Sequence, residues 1–160
     1  MRRADPRAAV RTVHPFRLIA ALGVACVWVA CRAPSDEETR RGPFAVRDAW
    51  ARTADSGTTG GAYLTLTNRD TLPVTITGVT TTWATAASVH ETMTMEGMTH
   101  MMPMSSMTLA RDSTLTMRAG GVHLMLDGLT HALRVGDTVP VTLQLGDGRA
   151  VALQIPVRAP

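Results

Sequence analysis

The sequence contains no lysine, and it contains cysteine only near its start. All 16 basic residues are arginine, and the two cysteines are Cys26 and Cys31. A domain that begins after Cys31 therefore has no internal disulfide, no CxxC redox pair, and no thiolate to serve as ligand or nucleophile. Aromatic residues are also scarce: there are two Phe, one Tyr and three Trp, against ten Met. Methionine is thus the unusual component of this chain.

The charge of the chain is unevenly distributed. The net charge is +3, but five arginines and only one acidic residue lie within residues 1–31. Residues 32–160 carry 11 Arg and 12 acidic residues, a net charge of −1. Nucleic-acid binding needs a basic surface, so we expect no nucleic-acid partner.

The longest apolar run is too short to span a bilayer. It covers 13 residues, 18–30, whereas a membrane-spanning helix needs about 20. An Arg-rich segment followed by a short apolar run is typical of a secretory signal. The run ends in Val29-Ala30-Cys31, which resembles a bacterial lipobox, with Trp28 where Leu is usual. We predict a signal peptide over 1–31, lipid on Cys31 and membrane anchoring on the periplasmic or cell-surface side; cleaved secretion and an uncleaved anchor are the alternatives.

The rest of the chain has the pattern of β-strands. Residues 32–43 are too polar to pack and are predicted to be a flexible linker. Apolar and polar residues then alternate over 62–67, 74–77, 114–117 and 138–157, the last as a hairpin turning at 146–149. No helical periodicity extends beyond two turns. We predict one all-β domain over 44–157, a β-sandwich or Greek-key barrel of about seven to nine strands.

Seven methionines and two histidines crowd into residues 90–107. Thr, Ser, Gly and Pro interrupt them, which is not the composition of an ordinary core strand. Met fills gaps in loosely packed loops and also forms adaptable protein-binding surfaces. Thioether and imidazole together are also the ligands of a soft metal ion such as Cu(I). The crowded residues are His90, Met93, Met95, Met98, His100, Met101, Met102, Met104 and Met107.

A second His/Met pair follows downstream. In a strand, His123 and Met125 project to one face, and Leu124 and Leu126 project to the other, toward the core. The segment therefore offers an imidazole and a thioether side by side. A lone His-x-Met is weak evidence for a metal site, but a nearby Met-rich segment strengthens it.

The spacing of these residues resembles a known signature. His90 is followed by ten residues and Met101, then by twenty-one residues and His123-x-Met125. This resembles the PCuAC family of periplasmic copper chaperones. Trp50-Ala51-Arg52, residues 61–68 and residues 136–141 agree with the family as well, so the resemblance covers about 44–157.

The resemblance implies a cupredoxin-like β-barrel that binds one Cu(I) through His90, Met101, His123 and Met125. It also implies delivery of copper outside the cytoplasm, to the copper centre of cytochrome c oxidase or to another periplasmic copper chaperone. The family usually has Arg-Pro after this Met, whereas this chain has Met102-Pro103. Surplus side chains in the segment are candidate auxiliary ligands: Met93, Met95, Met98, His100, Met102 and Met104.

Four other functions compete with a chaperone. A blue-copper electron carrier needs a Cys ligand, which residues 32–160 lack. A copper-sequestering protein would share every ligand and differ only in having no transfer partner, and a metal-free interaction domain also remains open. Catalysis is not expected, because no Ser/His/Asp set or phosphate loop is apparent and the Asp residues lie in or near turns.

Overall fold

The computed structural model describes residues 38–95 and 97–159, and every secondary-structure element within them is a strand. The predicted signal peptide, the lipidated Cys31 and residues 32–37 of the predicted linker lie outside the described residues. None of the described residues forms a helix that could cross a bilayer. The strands are β1 Thr39–Arg41, β2 Phe44–Arg52, β3 Gly60–Asn68, β4 Val74–Thr81, β5 Ala84–Met95, β6 Met98–Met104, β7 Met107–Leu109, β8 Thr114–Thr116, β9 Val122–Leu129, β10 Thr138–Leu145 and β11 Ala150–Arg158.

The strands form an open sheet that folds over one apolar core. Their order is β6-β5-β9-β3-β2-β11-β10-β4-β7, with β1 paired to β2 and β8 paired to β3. β11 joins the two halves: it runs antiparallel to β10 along most of its length and parallel to β2 at its end. The core takes side chains from both halves, including Leu66, Leu124, Ile76 and Leu143. The all-β prediction is confirmed, with eleven strands where seven to nine were expected.

Strict alternation builds the hairpin at the end of the chain. Val139, Val141, Leu143 and Leu145 are buried from β10, and Val151, Leu153, Ile155 and Val157 are buried from β11. The intervening residues are half-buried or exposed. The chain reverses at 146–149, where Gly148 has a φ of 84° in the left-handed region. The predicted hairpin over 138–157 is confirmed.

The sheet begins before residue 44, where the predicted domain starts. Thr39, Arg40 and Arg41 pair with Val46, Ala45 and Phe44. β1 therefore lies within the segment predicted as linker and forms a hairpin with β2, the first strand of the predicted domain. The polar composition of 32–43 was the basis of that prediction. Backbone pairing does not require apolar side chains, so a short edge strand escapes a reading based on hydropathy.

A bulge in β2 changes which of its residues face outward. The register with β3 shifts between Arg47 and Trp50, and Asp48 in the bulge has a φ of 52°. Before the bulge Phe44 and Val46 are buried, and after it Ala51 is buried instead. An extra residue in one strand produces this reversal. It places Trp50 on the outer face of the sheet, paired with Tyr63.

The Met-rich segment is a hairpin of two strands. β5 and β6 pair from Val89↔Met104 to Met95↔Met98, and Gly97 in the turn has a φ of 78°. β9 covers β5 only as far as Glu91↔Val122. The rest of the hairpin therefore projects from the sandwich as a two-stranded ribbon. In this ribbon Thr92 and Thr94 alternate with Met93 and Met95, and β-branched Thr favours the strand conformation.

Candidate metal centre

The two histidines of the predicted site are direct partners on neighbouring strands. His90 on β5 pairs with His123 on β9. Their ring centroids lie 6.2 Å apart, with an angle of 50° between the ring planes. Both residues are half-buried. Leu124 and Leu126 are fully buried in the core, which confirms the predicted alternation along β9. The two imidazoles thus lie side by side on the outer face of the sheet.

Both predicted thioether ligands lie on this same face. Met125 is two residues beyond His123 on β9 and pairs with Ser88. Met101 on β6 pairs with Thr92, two residues beyond His90. Directly paired residues share a face, and diagonal neighbours are about 7–8 Å apart, within reach of long side chains. His90 therefore has His123 opposite it and Met101 and Met125 at the two diagonals. We call the face that carries these four residues the ligand face.

Hydrogen bonding leaves nitrogen atoms of the pair available. Nδ1 of His123 lies 3.0 Å from the carbonyl oxygen of Gly121. A carbonyl only accepts, so Nδ1 carries the hydrogen of this bond and Nε2 keeps its lone pair for a ligand. Nδ1 of His90 is buried and has no hydrogen-bond partner among the described residues. An unpartnered buried nitrogen is costly unless a ligand satisfies it, and this fits a metal-binding role.

An aromatic row borders the site on the side of β3. The rings of Tyr63 and His123 have centroids 6.4 Å apart, and those of Trp50 and Tyr63 are 4.7 Å apart. Gly61 pairs with Met125, and a Cβ placed on Gly61 would come within 2.9 Å of the Tyr63 hydroxyl oxygen. The tyrosine ring thus reaches over a glycine to lie beside the ligand face. The alternation of 62–67 places Tyr63 opposite Leu64, but the pairing of β3 with β9 was not readable from the sequence.

The ligand face has few formal charges and is open to solvent. The residues between the candidate ligands on β5 and β6 are Ser88, Thr92 and Pro103. Met101 is 57% exposed, whereas His90, His123 and Met125 are half-buried. Within residues 38–95 and 97–159 no group of three or more His, Cys, Asp or Glu side chains could hold a metal ion. The other candidate ligands around the two histidines are the thioethers.

The surplus methionines do not lie on the ligand face. On the hairpin, Met93 pairs with His100, Met95 with Met98, and Glu91 with Met102. These positions alternate with His90, Thr92 and Met101, so their side chains project to the opposite face. Met104 is also on that face, but it is half-buried and packs against the core beside Val89. Of the six predicted auxiliary ligands, five therefore stand apart from both the core and the histidine pair.

His131 and Trp83 lie away from this centre. His131 is exposed and stacks on Trp83 with ring centroids 5.1 Å apart. Trp83 packs against the core, whereas Trp50 borders the ligand face through Tyr63.

Comparison with known families places this domain. A family model described as "Putative lipoprotein LpqE-like" matches residues 44–157. The chain belongs to the LpqE-like family. A relative from Leifsonia xyli subsp. xyli, named "Putative lipoprotein Lxx21020", is 33% identical to this chain over 114 residues. The match covers 71% of this chain and 68% of the relative.

Solved structures share the fold of this LpqE-like domain. A copper-bound PCuAC domain from PmoF2 superposes with a TM-score of 0.63 at 22% identity, covering 78% of this chain and 99% of that domain. The Cu(I) form of DR1885 from Deinococcus radiodurans has a TM-score of 0.51 at 34% identity, covering 71% of this chain and 78% of that protein. The resemblance to PCuAC domains noted in the sequence is confirmed, and with it the cupredoxin-like fold.

Proposed function

We propose that this protein is an extracytoplasmic copper chaperone that carries one Cu(I) on His90, Met101, His123 and Met125. The single observation that carries the proposal is the pairing register, which sets all four side chains on one open face of β6, β5 and β9. The copper-bound PCuAC domain and the Cu(I) form of DR1885 share its fold and add support.

The ligand chemistry suits a carrier of Cu(I). Thioether sulfur is a soft ligand that selects Cu(I), and imidazole accepts the same ion. All four ligands are neutral, so they hold the ion without the tighter grip of thiolates. Thiolates outside the cytoplasm are also open to oxidation. This set therefore binds copper while leaving it available to an acceptor.

The unequal exposure of the ligands suggests an order of release. Met101 lies on β6, the outermost strand at that end of the sheet, and is the most exposed of the four. His123 and Met125 lie on β9, which is paired on both sides. In the proposed transfer a soft ligand of the acceptor replaces Met101 first, and the ion keeps its +1 state while the remaining ligands are exchanged.

The acceptor is proposed to be the copper centre of cytochrome c oxidase or another periplasmic copper chaperone. The proposed location is the outer side of the membrane, with a lipid on Cys31 as anchor. The family to which the chain belongs is described by a lipoprotein name, which supports the anchor. The apolar run that ends at Cys31 supports it as well.

A competition titration tests the binding step. The full chain in detergent, with Cys26→Ser and Cys31→Ser so that no thiol competes for the metal, is titrated anaerobically with Cu(I) against a chromophoric chelator. This cysteine-free chain should bind one tight equivalent. His123→Ala should weaken that equivalent by at least about tenfold, or ~1.4 kcal/mol, while His131→Ala, away from the site, should leave it unchanged. Equal affinities in the parent and His123→Ala would contradict the site.

A transfer experiment separates a chaperone from a protein that only sequesters copper. The Cu(I)-loaded chain is mixed with an apo acceptor domain of higher affinity, and copper on each protein is measured after separation. A chaperone loses its copper to the acceptor within minutes. Copper that stays on the donor despite the acceptor's higher affinity would identify a sequestering protein.

A further inference from the structure

The projecting part of the β5–β6 hairpin has a second group of soft ligands, on the face opposite the ligand face. The group, which we call the hairpin cluster, consists of Met93, Met95, Met98, His100 and Met102. Successive residues of a strand project to opposite faces. The members of the cluster occupy the strand positions that alternate with those of His90 and Met101, so they project to the other face. The separation means that the cluster cannot be a set of spare ligands for the first site.

His100 lies at the middle of the cluster. Met93 is its direct cross-strand partner, at a Cβ distance of about 4.5–5.5 Å for such pairs. Met98 and Met102 are its neighbours two residues away on β6, and Met95 is a diagonal neighbour on β5, about 7 Å away. One imidazole therefore has four thioethers around it, and all five side chains project to one side of the ribbon.

A role in core packing does not account for these methionines. Met93, Met95, Met98 and Met102 are 36%, 56%, 59% and 53% exposed. β9 ends its pairing with β5 at Glu91, so among the described strands only β6 pairs with β5 beyond that point. By contrast Met104, farther down the same face, reaches the core. The exposed methionines lie where the sandwich no longer extends beneath them.

Charge at the base of the cluster also favours a cation. Glu91 is the direct partner of Met102 and so lies on the same face as the cluster. A carboxylate near an otherwise uncharged group of sulfur atoms attracts a monovalent cation. Thioethers in turn select a soft ion over the harder Mg²⁺ or Ca²⁺.

The geometry points to a second Cu(I) site in the hairpin cluster, formed by His100 with Met93 and neighbouring thioethers, distinct from the site on the ligand face. Its exposure makes it the weaker of the two. The inference rests on the hairpin register and on the exposure of its methionines, and it does not require the proposed function to hold.

The experiment counts Cu(I) equivalents on the cysteine-free full chain and on two complementary variants. The parent should bind two equivalents, the second at least about tenfold more weakly. His100→Ala with Met93→Leu, Met95→Leu, Met98→Leu and Met102→Leu should remove only the second. His123→Ala with Met125→Leu should remove only the first. Met107→Leu, which removes a thioether from β7, should leave both.

Spectra of methyl-labelled methionine locate the second equivalent. Its addition should shift the methyl signals of Met93 and Met98 and leave that of the buried Met117 unchanged. A parent that binds one equivalent, or a second equivalent that survives the five substitutions, would overturn the hairpin site. A second equivalent that persists while His123→Ala has no effect on the first would instead remove the proposed function and leave this site standing.

Discussion

His90 and His123 are direct cross-strand partners whose ring centroids lie 6.2 Å apart, although 32 residues separate them in the sequence. One ring has its Nδ1 fixed by the carbonyl of Gly121, and the other has a buried Nδ1 without a partner among the described residues. His123 therefore keeps Nε2, and His90 keeps its buried Nδ1, available to a ligand.

Adjacent methionines on opposite faces give the sharpest test of the ligand face. Met101→Leu should weaken the tight Cu(I) equivalent by at least about tenfold, because it removes a thioether beside His90 and changes little else. Met102→Leu removes the same group one residue later, on the other face, and should leave that affinity unchanged. Both variants are measured in the same chelator competition. Equal losses in both would show that the face assignment is wrong.

Substitutions of the adjacent residues Leu124 and Met125 should affect folding and metal binding separately. Leu124 is fully buried, so Leu124→Ala should lower the free energy of unfolding by about 2–5 kcal/mol. Met125→Leu keeps the volume and should change stability by less than about 1.5 kcal/mol, but should weaken Cu(I) binding. Denaturant unfolding of the metal-free proteins and the competition titration measure the two effects. A strongly destabilised Met125→Leu would indicate a packing role for this side chain.

Gly61 leaves the room that the ring of Tyr63 occupies beside the ligand face. A Cβ there would lie 2.9 Å from the tyrosine hydroxyl oxygen, so Gly61→Ala should displace the ring and destabilise the domain by about 1–3 kcal/mol. Adding Tyr63→Phe removes that oxygen and leaves ring carbon at 3.4 Å, so the double variant should recover much of the loss in thermal unfolding. Tyr63→Phe alone is the control. No recovery would mean that the glycine is needed for another reason.

Arg149 should make stability depend on pH in the acidic range. The pKa of Asp70 is lowered by the backbone N–H of Thr71 and then by the Arg149 guanidinium. The pKa of Asp147 is lowered by the backbone N–H of Arg149 and then by its guanidinium. A carboxyl group whose pKa is lowered by folding stabilises the folded state at pH values above its unfolded pKa of 3.8. This stabilisation is lost as the pH falls from 3.8 through the lower pKa of the folded state.

Arg149→Ala should therefore lower the unfolding temperature more at pH 6 than at pH 3. The hydrogen bonds from the Arg149 guanidinium to Asp70 and Asp147 stabilise the folded state only while the two carboxylates are ionised. Arg134→Ala, which removes one exposed positive charge from another loop, is the control for net charge. A difference between parent and Arg149→Ala that is the same at both pH values would exclude the carboxylates as its source.

The sequence predicted the faces of β9 and the terminal hairpin because one side of each strand is buried. Leu124 and Leu126 alternate with His123 and Met125, and a buried face sets the direction of every side chain in the strand. The four candidate ligands were predicted from the resemblance of their spacing to the PCuAC signature. The structure explains part of that spacing. In the register of the β5–β6 hairpin, every β6 residue on the same face as His90 is separated from it by an even number of residues, and Met101 is separated by ten.

The Met-rich hairpin could not be read from hydropathy because its two faces do not differ in burial. Thr94 and Met95 are both exposed, so no contrast between core and solvent shows the period of two. The approach of Tyr63 to His123 was hidden for another reason. It depends on the pairing of β3 with β9, which joins segments about 60 residues apart through backbone bonds that leave no local trace.

The hairpin also limits how this segment can change in length over evolution. A single residue deleted from β6 between the turn and Met101 would rotate that strand by one position and turn Met101 away from His90. The next residue, Met102, would then take its place opposite Thr92. Because Met101 and Met102 are consecutive, one of them faces the histidines in either register of the strand. A slip of one residue would abolish a site built on a single methionine, but here it leaves a thioether beside the histidines.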